Sequence, residues 1–196
     1  MLEIIIPRVT LQKRRRIASI LACFLLGASA TFASNNLITN GDFAVFTANK
    51  PASWRVPAPG ASTLTYETSS KPTGANGSLR VTIDTDGQGL GQILQKFPVK
   101  PGGNYLLEGW VKSDGSEGGQ LQIKLYSNKK EIKRISVPNN GIGWEKLSKQ
   151  FVAEGAEEAA ILLRYKQTGT EIGNTLWFAD ISVTPAPAID SLAQSK

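Results

Sequence analysis

Apolar residues recur at every second position through most of this chain, broken at short intervals by turn residues. Leu79, Val81 and Ile83 alternate with Arg80, Thr82 and Asp84, and Leu121, Ile123 and Leu125 alternate with Gln122, Lys124 and Tyr126. A period of two marks strands with one face buried and one face in water. The same pattern predicts strands over 63–69, 90–98, 104–112, 131–137, 144–152, 158–167 and 175–184. Pro-Gly-Gly at 101–103, Asp-Gly at 114–115, Gly-Gly at 118–119 and Asn-Asn-Gly at 139–141 supply turn chemistry between them. Residues 153–161 are rich in Ala and Glu, but the stretch is short and Gly155 interrupts it. It reads as a turn running into a strand. About eight to ten short antiparallel strands need two facing sheets, because one sheet alone leaves an apolar face wet. The expected fold class is all-β: an antiparallel, two-sheet β-sandwich.

The first 33 residues break this pattern. Lys13, Arg14, Arg15 and Arg16 precede an apolar run from Ile17 to about Ala30, with small residues before Ser34. These are the charged, apolar and cleavage regions of a signal peptide, in order. The apolar run is about 14 residues, against the roughly 20 that a membrane span needs. Cleavage is expected after Thr31-Phe32-Ala33, with Ala28-Ser29-Ala30 as the alternative site and an uncleaved anchor as the competing reading. Cys23 is poorly placed as a lipid acceptor, since the apolar run continues past it. The chain divides into a leader (1–33), one β domain (34–185) and a polar tail (186–196). The expected location is secreted, periplasmic or cell-envelope.

The leader also changes the charge. Of 22 basic and 16 acidic residues, five and one lie in 1–33, which leaves 17 and 15 and a net charge of +2. The pI near 9.5 is thus partly a targeting feature and argues for no nucleic-acid partner. The only cysteine lies in the leader and there is no histidine, so no disulfide or transition-metal site is expected in the mature domain. With the leader gone, a monomer without a membrane span is expected.

Asn36-Leu37-Ile38-Thr39-Asn40-Gly41-Asp42-Phe43 opens the β domain, and Leu176-Trp177-Phe178-Ala179-Asp180-Ile181-Ser182-Val183 closes it. Between them come Pro-Gly-Gly-x-Tyr-x-Leu at 101–107 and Trp144 before a strand ending in Phe151. In this order and spacing, the segments resemble the CenC-type carbohydrate-binding modules of bacterial glycan-degrading enzymes, over roughly residues 36–185. The resemblance implies a jelly-roll sandwich of the galactose-binding-like kind, first and last strands that pair, structural tryptophans at 144 and 177, and a calcium ion near the two ends. Two departures bear on the ion. Ala44 stands where the family often has an acid, and Ala179-Asp180 stands where it often has Asp-Asp.

Calcium takes six to eight oxygen ligands from carboxylates, amides and carbonyls. Asp42 and Asp180 are the candidates, with Asn40 and the backbone around Gly41. The alternative is a turn cap by Asn40 and Asp42 and a strand hydrogen bond at Asp180. Sugar binding asks for flat rings beside amides, carboxylates or guanidinium groups. Strand 120–127 presents Gln122, Lys124 and Tyr126 on its polar face; Arg164 and either Gln92 or Gln95 come from neighbouring strands. Gln92 and Gln95 have opposite parity, so a regular strand points only one into a groove; Gln95 is preferred. Trp54, in a proline-rich loop, and Tyr66 are candidate walls, each with core packing as the alternative. Glu108 and Trp110 share a parity opposite to Tyr105, Leu107 and Val111 and are further candidate sugar contacts, with a sheet-covering aromatic as the alternative for Trp110.

An enzyme reading finds little to build on. A glycoside hydrolase needs two carboxylates flanking the bond, and the acids here lie mostly in turns or beside lysines. Glu108 is the exception, for which a sugar contact or a lysine salt bridge is the simpler role. A hydroxyl-nucleophile triad lacks its histidine. Non-catalytic binding of a polysaccharide or oligosaccharide therefore leads. The rival is a structural or adhesive envelope protein that meets protein. Three or more rings along one concave face favour sugar, and buried rings with a bare lysine-rich face favour the rival.

Overall fold

The computed structural model describes residues 35–57, 61–87, 89–115, 118–167 and 169–188. The leader and the end of the tail lie outside these residues. A minimal hairpin, β1 (Phe46–Thr47) with β2 (Lys50–Pro51), comes first. Nine longer strands follow: β3 (Ser62–Glu67), β4 (Ser78–Ile83), β5 (Leu90–Pro98), β6 (Asn104–Ser113), β7 (Gln120–Ser127), β8 (Lys130–Pro138), β9 (Glu145–Val152), β10 (Glu158–Lys166) and β11 (Thr175–Pro185). They form a five-stranded sheet, β3-β4-β11-β6-β9, and a four-stranded sheet, β5-β10-β7-β8. Every pairing is antiparallel. The two sheets face each other as a sandwich.

The alternation along the chain builds the core between them. On β6, Tyr105, Leu107 and Val111 point inward while Leu106, Glu108, Trp110 and Lys112 line the outside. On β7, Leu121, Ile123 and Leu125 are wholly buried against Ile161 and Leu163 of β10 and Leu79, Val81 and Ile83 of β4. Central strand β10 departs from alternation. Its inward residues meet the core, yet Ala160 and Leu162 are also buried on the opposite face. Residues 153–157 form the expected turn, with Gly155 at φ 66 and Ala153 and Ala156 tucked inward.

The hairpin β1–β2 carries no sequence signal. Its turn residues Ala48 and Asn49 both have positive φ, 50 and 60, as a two-residue hairpin turn requires, but Ala is not the residue that usually marks one.

The opening segment is not a strand, a correction to the expected pairing of first and last strands. It bends at Asn40 (φ 53) and Phe43 (φ 58) and is tied to β11 by individual hydrogen bonds. Leu37 N donates to Val183 O (2.8 Å), and Val183 N donates to the Asn36 side-chain oxygen (3.0 Å). Strand β11 has a bulge that makes room for it. Its pairing with β6 skips from Ala179–Trp110 to Ser182–Glu108, with Asp180 at φ 49 between them. The amide freed in the bulge, Ile181 N, donates to Gly41 O (3.0 Å). A Cβ at position 41 would overlap the Ile181 carbonyl oxygen, so only glycine allows this approach. The two ends of the domain meet through a bulge and a glycine.

Candidate functional site

The candidate residues separate into three places. The first is the outer face of the four-stranded sheet. Register sets Gln92 of β5 and Gln120 of β7 on either side of Arg164 of β10, and Leu94 and Gln122 on either side of Leu162. Ser136 and Arg134 of β8 lie opposite Gln122 and Lys124. Although this face points away from the core, Leu162 is only 2% exposed and Gln122 only 4%.

The polar groups here form a partly satisfied layer. Gln122 Nε2 donates to Ser136 Oγ (2.8 Å), and its Oε1 is 3.5 Å from an Arg164 terminal nitrogen. Arg164 Nε is buried with no acceptor. Burial, and then the charge of Arg134, pull the Arg164 pKa below its usual value. Around it runs a set of ion pairs: Lys96 to Glu158 (2.6 Å), and Glu131 to both Lys124 (2.9 Å) and Arg134 (2.6 Å). Tyr126 is half-buried, with the Lys96 ammonium 4.9 Å above its ring. Burial, and then the Glu131 charge, raise the Tyr126 pKa, so the phenol stays neutral and able to donate.

The second place is a groove of about 510 Å³ where the N-terminal segment crosses the five-stranded sheet, lined by Asn36, Asp42, Glu108, Trp110, Lys146 and Asp180 among others. The β11 bulge turns Asp180 toward Asp42. Burial, and then the charge of Asp42, raise the Asp180 pKa, the expected effect of two like charges sharing a site. Glu108 is paired with Lys146 at 2.7 Å, the simpler of the roles expected for it. Trp110 stands beside them between Ala179 and Lys146. Asn40 lines the groove, and its amide is hydrogen-bonded at both its oxygen and its nitrogen. Its side-chain oxygen accepts from Val45 N (3.0 Å), and its nitrogen donates to Val45 O and Ala52 O (both 2.9 Å). Among the described residues no three His, Cys, Asp or Glu side chains form a metal cluster.

The third place is the interior, which takes two of the expected sugar contacts. Trp54 is 4% exposed, packs at 5.3 Å from the Phe43 ring and donates from Nε1 to Asn40 O (3.0 Å). It closes the core and is no exposed platform. Gln95 shares the inward parity of Ile93 and Phe97 and is 8% exposed. It accepts from Thr39 N (2.8 Å) and donates to Thr39 O (2.9 Å) and Ser53 O (3.2 Å). Gln92, the residue passed over, is the one on the outer face. Tyr66 belongs to neither group of candidates; it packs at 6.2 Å from Phe46 beside β3 and lines an apolar recess there.

The remaining tryptophans divide. Trp177 points out of the five-stranded sheet but is 8% exposed, covered by Lys112 at 4.3 Å and fixed by a 2.7 Å bond from Nε1 to Glu67. Trp144 is half-buried at the start of β9. Sequence reasoning missed Gln120, Ser136 and Arg134, because the pairing of β7 with β8 and β10 brings them together and periodicity does not report which strands are neighbours.

No protein-family profile matches the chain, and no curated protein does. Solved structures do. The chain is similar to a tailspike protein 4 enzymatically active domain of bacteriophage CBA120, at 14% identity and a TM-score of 0.61, over 77% of this chain and 21% of that one. It is similar to a family 61 carbohydrate-binding module solved with β-1,4-galactotriose, at 17% identity and a TM-score of 0.54, over 78% of this chain and 100% of the module. It is also similar to a CBM22-1 xylan-binding domain from Paenibacillus barcinonensis Xyn10C, at 13% identity and a TM-score of 0.55, covering 80% and 97%. At these identities the likeness is one of fold: a carbohydrate-binding-module-like β-sandwich. The described residues include no helix long and apolar enough to cross a membrane.

Proposed function

We propose that this chain is an exported, non-catalytic glycan-binding protein of jelly-roll type. It takes a polysaccharide or oligosaccharide on the outer face of the four-stranded sheet. The observation that carries this reading is the polar layer around Gln122 and Arg164: a buried amide beside a half-buried guanidinium, on a face that no other strand covers among the described residues. A sugar hydroxyl is a neutral acceptor that suits the terminal nitrogens of Arg164, whose contact to Gln122 is long at 3.5 Å. Amides at Gln92, Gln120 and Gln122 and the Tyr126 edge extend the same chemistry across the sheet. The sandwich likeness to modules solved with glycans supports the class.

A second reading, a structural or adhesive protein that meets protein, has an observation of its own. Among the described residues, Tyr126 is the one aromatic side chain on this sheet's outer face, and the face is rich in lysine and arginine. Affinity gels and calorimetry with xylan, galactan and β-glucan oligosaccharides separate the readings. Retardation in one of these gels, weakened about tenfold by Gln122→Ala, a loss of one or two hydrogen bonds, is the expected outcome. No retardation by any glycan across a broad array sinks the proposal.

The same reading includes one structural calcium ion at the two ends of the domain. The groove offers a hard cation two carboxylates: Asp42 and Asp180 both line it, and burial and the charge of Asp42 disfavour the Asp180 carboxyl as an anion. Calcium there would supply charge neutralisation for both carboxylates and no chemistry. The Asn40 side-chain oxygen and the Gly41 carbonyl each accept one hydrogen bond, and their second lone pairs belong to the proposed donor set.

A further inference from the structure

We infer that the glycan is an acidic one, a uronate-containing chain whose carboxylate seats on Arg164. This rests on the outer face of the four-stranded sheet being the binding surface. That face presents Lys96, Lys124, Arg134 and Arg164 against Glu131 and Glu158. Both acids are already engaged: Glu158 holds Lys96, and Glu131 bridges Lys124 and Arg134. Arg164 is left with no carboxylate at ion-pair distance among the described residues, one long contact to Gln122, and a buried Nε without an acceptor.

That nitrogen is closed off, so a ligand meets the terminal nitrogens of the fork, where a neutral hydroxyl would accept a bond but leave the charge. A carboxylate would meet the charge as well, because the planar fork of an arginine donates parallel bonds to two carboxylate oxygens. It would also relieve the repulsion from Arg134 that, after burial, makes the Arg164 cation unfavourable. The surroundings are those of a sugar ring, not of a bare anion. Gln92 and Gln120 flank Arg164 in register and Gln122 stands diagonally, so amides on both sides meet the hydroxyls of the residue that bears the acid. The scarcity of rings agrees with this. A face that binds a neutral chain depends on stacking, whereas this one carries charge and a single ring that Lys96 partly covers. The surplus of cations would also steer a polyanionic chain to it.

The test is calorimetry of the full chain against an α-1,4-linked oligogalacturonate, the methyl ester of the same oligomer, a neutral xylo-oligosaccharide and poly-glutamate. The variants are Arg164→Gln, Arg164→Lys and, as a control on the other sheet, Lys149→Gln. The acid is expected to bind about tenfold more tightly than its ester, as for one charge-assisted bidentate pair. Arg164→Gln should close that gap by weakening the acid more than the ester; Arg164→Lys should close it in part; Lys149→Gln should leave it open. Arg164 holds no ion pair among the described residues, so the thermal midpoint of Arg164→Gln is read beside its affinity, and Arg164→Lys, which keeps the charge and most of the stem, reads the same effect if that midpoint falls. Equal binding of acid and ester overturns the acidic specificity and leaves the sheet face as a glycan site. Poly-glutamate binding as tightly as the uronate overturns it in favour of an acidic protein partner. Absence of binding to every glycan removes the sheet-face reading as well.

Discussion

Trp54 and Trp177 are both buried, for opposite reasons. Trp54 fills the core beside Phe43, where the Asn40 carbonyl satisfies its indole nitrogen. Trp177 lies on the outer side of its sheet under the Lys112 side chain, with Glu67 as its acceptor. Sequence parity places Trp177 outside, and only the neighbouring strands show that it is covered. For Trp54 the proline-rich loop gives no parity at all. Replacing Trp54 with alanine should lower stability by about 3–5 kcal/mol, the range for deleting a large buried ring, as read by urea unfolding. The folded fraction should keep its glycan affinity, and a selective loss of affinity without loss of stability would contradict the core placement. Gln95 teaches the same lesson in reverse. A glutamine on the inward parity of a strand reads as an error of register until its three bonds to Thr39 and Ser53 are seen. It satisfies backbone groups of the N-terminal segment that the domain would otherwise bury unpaired.

At the scale of elements, long-range pins replace regular ladders where the pattern breaks. Glu67 at the end of β3 reaches Trp177 on β11 and lies near Arg80 of β4 and Lys112 of β6, so one carboxylate joins four strands of the five-stranded sheet. A hydrogen bond from Ser69, followed by the Trp177 bond and the charges of Arg80 and Lys112, holds its pKa below the usual glutamate value against the opposing effect of burial. A lowered native pKa means that this group stabilises the fold fully above its unfolded pKa and loses that effect as pH falls through its native one. Glu67→Gln should therefore flatten the acid limb of the stability profile below the ordinary glutamate range. Equal acid dependence in parent and variant, measured by denaturant midpoints across pH, would contradict this. The strands themselves were legible because each carries its own period of two. The hairpin β1–β2 and the bulge at Asp180 were not, since both depend on positive φ values at Ala48, Asn49 and Asp180, residue types that do not announce them.

At the scale of the whole molecule, the domain has to hold its two ends together without a disulfide. It does so by docking residues 36–43 into the β11 bulge, which puts Asp42 and Asp180 on the lining of one groove. If calcium occupies that place, the melting temperature should rise with calcium and fall in chelator, by an amount equal to about 2.7 kcal/mol at one hundred times the dissociation constant. Asp180→Asn should abolish the response and, in chelator, stabilise the fold by removing one of two repelling charges. A melting temperature indifferent to calcium in the parent would exclude the ion. The alternation of side chains by itself determined the all-β class, most strand positions and the inward or outward parity of nearly every residue on them, because these follow from a period of two within each segment. Strand order, the meeting of the ends and the burial of particular side chains were decided only by tertiary structure. Gln122 and Arg164 become one polar layer because β7 pairs with β10, and Gln95 faces inward because the N-terminal segment needs its amide. Neither neighbour is near in sequence, so no local pattern could carry the information.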